Sequence, residues 1–281
     1  MKHYINPTID FVFKILFGTI KNIELLLDFL NKTLQPTTPI TSVEILNPYN
    51  EREFAADKLS VVDVRAKDAQ GIIYHIEVQI GSPWHLPNRI LYLWGRQYQG
   101  QLEKGTKFNA LKPVISIWIL TDDIVDDALY HHHFQARDEY TGKLLTDQMS
   151  IHLLELNKWH EPDILQLEDH WPFFLKEGKS WKQLPNKLNM PKMRRAMKVL
   201  EQISDKTADF YRYQAREDFL REQATLVDEL EKSQLREEAL QVRVDIAEQE
   251  REVAKQEREA AEQERARLVA MLRKAGIEPD E

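Results

Sequence analysis

Apolar residues near the start of the chain recur at the spacing expected of α-helices. The stretch "NPTIDFVFKILFG" (6–18) carries one apolar stripe, which predicts a helix that Asn6 or Thr8 caps and Gly18 ends. A second helix is predicted in "KNIELLLDFLNKTL" (21–34), where leucine and isoleucine keep the same spacing. The sequence "PTTP" (36–39) cannot continue that helix and ends it.

The next patterns are typical of strands. The run "ITSVEIL" (40–46) is short and β-prone. In "VVDVRAKDAQGIIYHIEVQI" (61–80) apolar and polar residues alternate on both sides of a turn, which predicts a β-hairpin. The nearly continuous apolar run "KPVISIWILTD" (112–122) predicts a strand that is buried on both faces. A further strand is predicted in "SIHLLEL" (150–156).

Between the hairpin and the buried strand, residues 81–105 predict a loop and a long helix. Its apolar side is expected to carry Ile90, Leu91, Trp94 and Leu102. The order helix, strand, hairpin, helix, strand, strand indicates an α/β fold, a mixed sheet with helices packed against it. We expect one domain over residues 1–180, a helical extension over 181–232 and a charged, heptad-like helical tail over 233–281.

The tail repeats every seven residues from Glu248 to Leu268, in "EQEREVA KQEREAA EQERARL". Ion pairs such as Glu248 with Arg251 and Glu262 with Arg265 are expected to support the helix. The two seams of the repeat hold mainly alanine and arginine: Ala247, Ala254, Ala261, Leu268 and Ala275 on one, and Arg251, Arg258, Arg265 and Leu272 on the other. Because a strong coiled coil needs branched apolar residues on both seams, a solvated helix and a dimeric or trimeric zipper both stay open.

Composition narrows the class of protein. The chain has no cysteine, which excludes disulfides and thiolate metal sites, and no apolar run of ~18 residues, so no transmembrane helix is expected. Its beginning lacks a signal-peptide pattern, and a cytoplasmic protein is expected. Residues 205–281 carry 21 acidic and 14 basic side chains of the 46 and 38 in the chain, so the acidity lies in the tail. The chain has no strongly basic net charge, which would have been a direct indication of nucleic-acid binding.

The hairpin carries two acids on the same face. Side chains alternate along a strand, so Asp63 lies on the polar face of the first strand and His75, Glu77 and Gln79 on that of the second. A three-residue loop over 69–71, with a left-handed Gly71, pairs position 68 with 72 and therefore Asp63 with Glu77.

Facing carboxylates with Cβ atoms about 5 Å apart repel each other unless a positive charge compensates. A divalent cation is the simplest compensation, and carboxylate oxygens favour Mg²⁺ or Mn²⁺. The alternative is an exposed polar face on which Asp63 pairs with Arg65, Lys67 or His75.

An aspartate followed after about a dozen residues by Glu-x-Gln across a hairpin resembles the PD-(D/E)XK nuclease superfamily. More narrowly, the chain resembles the recombination-promoting nuclease/putative transposase family, in "NPTIDFVFKILFG", "VVDVRAKDAQGIIYHIEVQ" and "NRILYLWGRQYQGQLEKGTKFNALKPVISIWIL". These stretches span roughly residues 5–120 and occur in the order of the family. The resemblance implies a restriction-endonuclease-like sheet flanked by helices, followed here by the long C-terminal helical, coiled-coil-like extension.

The resemblance also implies a metal-dependent phosphodiesterase. Asp63 and Glu77 would hold Mg²⁺ or Mn²⁺ together with the backbone carbonyl of Val78. Gln79 stands where the superfamily usually has lysine, so it can position a water molecule but brings no positive charge. The superfamily motif begins with the dipeptide Pro-Asp, and this chain departs from it as well, since Val62 precedes Asp63.

Several other residues are weaker candidates. Asp10 could be an accessory acid, although it also suits the start of a helix. On the helix after the hairpin, Arg89, Arg96 and Lys104 could contact DNA phosphates, or could belong to an ordinary solvated face. The histidines of "YHHHF" (130–134) are not expected to bind metal, because neighbours in a strand point to opposite faces.

The sequence thus predicts a divalent-metal-dependent DNA endonuclease associated with recombination or transposition. A homodimer through the C-terminal helix would allow two cuts. The alternative is a catalytically inactive relative that binds DNA or protein and oligomerises through that helix.

Overall fold

A computed structural model describes residues 4–47, 63–81, 85–105, 107–162, 166–205 and 207–274 of the chain; some side chains of the last helix lie outside this description. The helices are α1 (Asp10–Phe17), α2 (Ile23–Leu34), α3 (Leu86–Gln99), α4 (His170–Glu177), α5 (Pro191–Asp205) and α6 (Thr207–Lys274). The strands are β1 (Val43–Ile45), β2 (Val64–Asp68), β3 (Ile73–Gln79), β4 (Val114–Leu120), β5 (His131–Phe134) and β6 (Met149–Glu155).

The six strands form one mixed sheet in the order β1-β2-β3-β4-β6-β5. Strand β4 lies between β3 and β6 and runs parallel to both, whereas the other neighbouring pairs are antiparallel. The prediction of a mixed sheet flanked by helices is confirmed, and so is the prediction that the run of residues 112–122 contains a doubly buried strand. The short strand β5 is absent from the predicted order, because three consecutive histidines give no apolar alternation.

Helix α3 packs on the sheet beside the end of the hairpin. Leu86 and Ile90 of this helix form one cluster with Trp118, Leu120, Ile151 and Leu153 of β4 and β6. Two details of the predicted helix are wrong, since Leu91 is 52% exposed and the helix ends at Gln99, before Leu102 and Lys104. A second core is aromatic, with Phe17 of α1 packed against Phe29 of α2 and Trp171 of α4.

Helix α1 ends at Gly18 as predicted, but the predicted cap is wrong. The N-cap residue is Ile9, and no side chain caps the helix. The side chain of Asn6 instead accepts hydrogen bonds from the backbone N–H and the hydroxyl of Thr8, which organises the turn that leads into the helix. The carboxylate of Asp10 accepts a hydrogen bond from the N–H of Phe11 at 2.8 Å.

The chain divides into two structural units, Met1–Phe219 and Leu220–Glu281. The described part of the second unit, up to Lys274, is helical and belongs to α6, a helix of 68 residues. Within it Glu262 pairs with Arg258 at 3.5 Å, four residues before it, and not with Arg265 as predicted. Ala275 lies outside the described residues, and a coiled coil stays a prediction. None of the helices in the described part of the chain has the length and apolar character that a membrane span requires.

Candidate metal site in the β2–β3 hairpin

The predicted register of the hairpin is confirmed. Val64 pairs with Ile76 and Lys67 with Ile73, so the same count places position 63 opposite Glu77. Gly71 has a φ of +87°, the left-handed conformation that the short loop requires.

Asp68 holds this turn in place, a role that the sequence pattern did not reveal. Its Oδ1 accepts hydrogen bonds from the N–H groups of Gln70 and Ile72, both at 2.9 Å. Its Oδ2 accepts a third from the hydroxyl of Tyr74 at 2.8 Å. Three bonds to one buried carboxylate therefore fix the register that brings Asp63 and Glu77 together.

The register brings three potential metal ligands to one point. One ligand atom each from Asp63, His75 and Glu77 lies within 4.8 Å of the other two, and this is the one such group in the described ranges. His75 Nε2 lies 3.2 Å from Asp63 Oδ2 and 3.9 Å from Glu77 Oε2. Asp63 is 3% exposed and His75 1%, and the Glu77 side chain is 12% exposed.

His75 is the residue that the sequence prediction left out of the site. It shares the polar face with Asp63 and Glu77, and that shared parity is the signal that could have included it. Its Nδ1 lies 3.3 Å from Ser116 Oγ, and the same oxygen accepts a hydrogen bond from Trp118 Nε1 at 3.0 Å. These contacts from β4 turn Nε2 of the imidazole toward the two carboxylates.

Asp63 is fixed by its main chain as well as by its side chain. Asn47 donates hydrogen bonds from Nδ2 to the carbonyl of Asp63 at 3.0 Å and to its Oδ1 at 3.1 Å. The carbonyl oxygen of the same amide accepts the N–H of Arg65 at 2.8 Å. Arg65 Nε lies 3.5 Å from Asp63 Oδ2. A carboxylate held from three directions is preorganised for a ligand.

The two carboxyl groups are shifted in opposite directions. Burial raises the pKa of Asp63, but the hydrogen bond from His75 and the charges of His75 and Arg65 outweigh it and leave that pKa below its usual range. Burial also raises the pKa of Glu77, and the negative charges of Asp63 and Asp10 add to the effect. The charges of His75 and Arg89 do not cancel this rise.

Arg89 enters the site from the first turns of α3. Its Nη2 donates to Glu77 Oε1 at 2.6 Å and its Nη1 to Gln79 Oε1 at 2.5 Å. Gln79 is anchored in turn, because its Nε2 donates to the carbonyl of Ile80 at 2.8 Å. Arg89 was predicted as a phosphate contact, and the structure brings it directly to the acidic residue of the motif.

The other predicted residues lie outside the three-ligand group. Asp10 pairs with Arg216 of α6, and it is near enough for its charge to raise the pKa of Glu77. Arg96 is exposed on α3, and Lys104 is exposed in a turn beyond the end of that helix.

The histidines of β5 make contacts of a different kind. His131 Nε2 lies 2.9 Å from His152 Nδ1, and His132 Nε2 lies 3.0 Å from Glu155 Oε2. Burial lowers the pKa of His131 to about 4 and that of His152 to about 3, with smaller contributions from neighbouring histidines. The prediction did not foresee the Glu155 partner. Neither pair belongs to a three-ligand group among the described residues.

The donor set at the hairpin suits a divalent cation. Two buried carboxylates offer the hard oxygen atoms that Mg²⁺ and Mn²⁺ prefer. The N–H of Asp68 donates to the carbonyl of Ile72, so the even-numbered residues of β3 turn their main-chain groups toward β2. By the same alternation the Val78 carbonyl is expected to point in the plane of the sheet toward β2.

A mixed sheet flanked by helices, with two carboxylates facing each other across a hairpin, defines a protein of the PD-(D/E)XK nuclease type. The chain matches the family model of PD-(D/E)XK nuclease family transposases over residues 7–230. It therefore belongs to this family, as the sequence resemblance predicted. No curated protein and no solved structure matches the chain.

Proposed function

We propose that the protein is a divalent-metal-dependent DNA endonuclease that hydrolyses phosphodiester bonds and acts in recombination or transposition. Family membership supports the reaction class. The observation that carries the proposal is the group of Asp63, His75 and Glu77, whose ligand atoms lie within 4.8 Å of one another. Burial raises the pKa of Glu77, so its ionised form is costly to the fold without a cation, and metal binding is a function that offsets this cost.

In this proposal Asp63, Glu77 and the Val78 carbonyl hold Mg²⁺ or Mn²⁺, which lowers the pKa of a water molecule and screens charge on the phosphate when it is bound. His75 orients Asp63 through the 3.2 Å contact between them. Gln79, which we predicted as a positioner of water, has its amide engaged by Arg89 and the Ile80 carbonyl. Its role in the proposed reaction is therefore to position Arg89.

DNA would approach along α3. Arg96 on this helix and Lys104 in the turn after it are both exposed, so both can contact phosphates that flank the cleaved bond. Such contacts give affinity without sequence preference.

The helix α6 would join two copies of the chain. Its heptad phase extends upstream of the tail repeat to Leu226, Leu230, Leu240 and Val244, which are 44–61% exposed. Branched apolar residues on both seams are what a two-stranded coiled coil needs, and a second α6 is the partner with matching heptads. A dimer would deliver one nuclease site to each DNA strand.

One observation favours a second candidate, a catalytically inactive relative that binds DNA or protein. The residue at the lysine position is Gln79, and the charge of Glu77 is already paired with Arg89 at 2.6 Å. Such a protein would keep the fold and the α6 helix and use them as an interaction module.

Cleavage of supercoiled plasmid DNA with Mg²⁺ or Mn²⁺ distinguishes the two candidates. The test variant is Asp63→Asn, because it keeps oxygen and size at a residue that contacts Asn47, Arg65 and His75. Asp147→Asn, at an exposed acid, is the matched control. We expect wild type and control to cut, and Asp63→Asn and EDTA-treated wild type not to cut. DNA binding without cleavage by folded wild type would establish the inactive relative.

A further inference from the structure

We propose that Arg89 supplies the positive charge at the cleaved phosphate that the superfamily draws from lysine, and that Gln79 positions it. This inference rests on the proposed nuclease function and names the residue that supplies the positive charge that Gln79 lacks.

The geometry places Arg89 where the lysine of the motif would act. Its guanidinium is bidentate across β3, with one nitrogen on Glu77 Oε1 and the other on Gln79 Oε1. Because the lysine position is two residues after Glu77, a cation that contacts both side chains occupies the same end of the strand. Lysine at position 79 would offer one flexible ammonium, whereas this fork is held from both sides.

Rigid neighbours hold the base of the Arg89 side chain. Leu86 and Ile90, which flank it on α3, are 0% and 5% exposed, and both belong to the core cluster of β4 and β6. The guanidinium carbon lies 5.6 Å from the centre of the Trp118 ring, within the range of a cation–π contact. The Arg89 side chain is nevertheless 39% exposed, so a phosphate in solvent can reach it.

Three other cations near the cluster, Arg65, Lys67 and Arg216, are worse placed for this role. Arg65 lies 3.5 Å from Asp63, on the far carboxylate of the pair, and Lys67 pairs with Glu44 of β1. Arg216 pairs with Asp10. Arg89, by contrast, contacts Glu77 and Gln79 together.

The same contact predicts an opposing effect on metal binding. A guanidinium bonded to Glu77 competes with a metal cation for that carboxylate and repels it. Removal of Arg89 should therefore tighten metal binding while it slows cleavage. A residue that only supports the fold would weaken both on removal.

The test compares Arg89→Ala, Arg89→Lys and the double variant Gln79→Lys/Arg89→Ala with wild type, and Arg137→Ala serves as the control at an exposed arginine. Mn²⁺ affinity is measured by calorimetry without DNA, and the single-turnover cleavage rate is measured at saturating Mn²⁺. For Arg89→Ala we expect Mn²⁺ to bind roughly 2–5-fold tighter, from the strength of a partly exposed ion pair. We expect its cleavage to slow by about 10²–10³-fold, the usual loss for one transition-state donor.

The double variant makes the inference sharper. Lysine at position 79 restores a cation at the same place, so cleavage should recover at least about tenfold over Arg89→Ala and Mn²⁺ affinity should return toward wild type. Arg89→Lys should fall between wild type and Arg89→Ala. If Arg89→Ala cleaves DNA at the wild-type rate, or binds Mn²⁺ more weakly than wild type, the proposed role of Arg89 is wrong. The proposed nuclease function is not affected by that result. A wild type that binds Mn²⁺ but cuts no DNA overturns the nuclease and this inference together.

Discussion

Removal of the Asp63 charge should abolish a metal-induced rise in thermal stability. Ligand atoms of Asp63, His75 and Glu77 lie within 4.8 Å of one another, so a cation that binds there interacts with the folded hairpin and not with the unfolded chain. A ligand at 100 times its dissociation constant stabilises a fold by about 2.7 kcal/mol. For a domain of this size each kcal/mol raises the melting temperature by about 2–4 °C, so Mn²⁺ should raise it by about 5–10 °C.

Scanning calorimetry of wild type, Asp63→Asn and Asp147→Asn with Mn²⁺ titrated to saturation measures this effect. Wild type and Asp147→Asn should show the full rise, and EDTA should reverse it. Asp63→Asn should show a rise below about 1 °C, because an amide oxygen is a far weaker ligand than a carboxylate. An equal rise in Asp63→Asn would place the metal elsewhere. No rise in folded wild type would refute the metal-site reasoning without reference to any DNA substrate.

Two further predictions concern the hairpin and the tail. Tyr74→Phe removes the buried hydrogen bond to Asp68, so urea unfolding should show a loss of about 1.5–3 kcal/mol; a loss below about 0.5 kcal/mol would mean that this bond does not hold the turn. Leu226→Glu/Leu230→Glu places charges on both proposed seams of α6, so sedimentation should show a dimer converted to monomer; a monomeric wild type would contradict the dimer proposal.

The sequence predicted the hairpin geometry well, because two local rules determine it. Alternation fixes which side chains share a face, and Gly71 fixes the loop, so the pairing of Asp63 with Glu77 follows by counting. The contacts of the Arg89 guanidinium with Glu77 and Gln79 could not be predicted by these rules. Arg89 follows Gln79 by ten residues in sequence, and only the packing of Leu86 and Ile90 against the sheet turns its side chain toward the hairpin.

The predicted alternative for the hairpin was partly correct in its contacts and wrong in its burial. Asp63 does contact Arg65 and His75, as an ordinary polar face would. An ordinary polar face is exposed, however, whereas Asp63 is 3% exposed. Burial depends on Asn47 and on Ser116 and Trp118 of β4, which alternation along β2 and β3 does not reveal.

The effect of burying a carboxyl group on the free energy of unfolding can be measured at Glu77. Burial raises the pKa of this carboxyl group, so the folded state binds its proton more tightly than the unfolded state does. The stability from this proton is present below the unfolded pKa and is lost as the pH rises through the folded pKa. At neutral pH, with a chelator present, the ionised Glu77 therefore destabilises the fold, and Asp63 and Asp10 add repulsion.

Glu77→Gln removes the buried charge and forfeits an ion pair with Arg89, whose side chain is 39% exposed and can be solvated instead. In EDTA at pH 7.5 we expect the variant to match wild type or to exceed it by about 1 kcal/mol in urea unfolding. The advantage should shrink or reverse near pH 4, where wild-type Glu77 is protonated. A variant that is less stable than wild type at pH 7.5, with a deficit that shrinks near pH 4, would show that the ion pair with Arg89 outweighs burial. Wild type would then hold Glu77 for stability, and the argument from a costly buried charge to a metal site would fail.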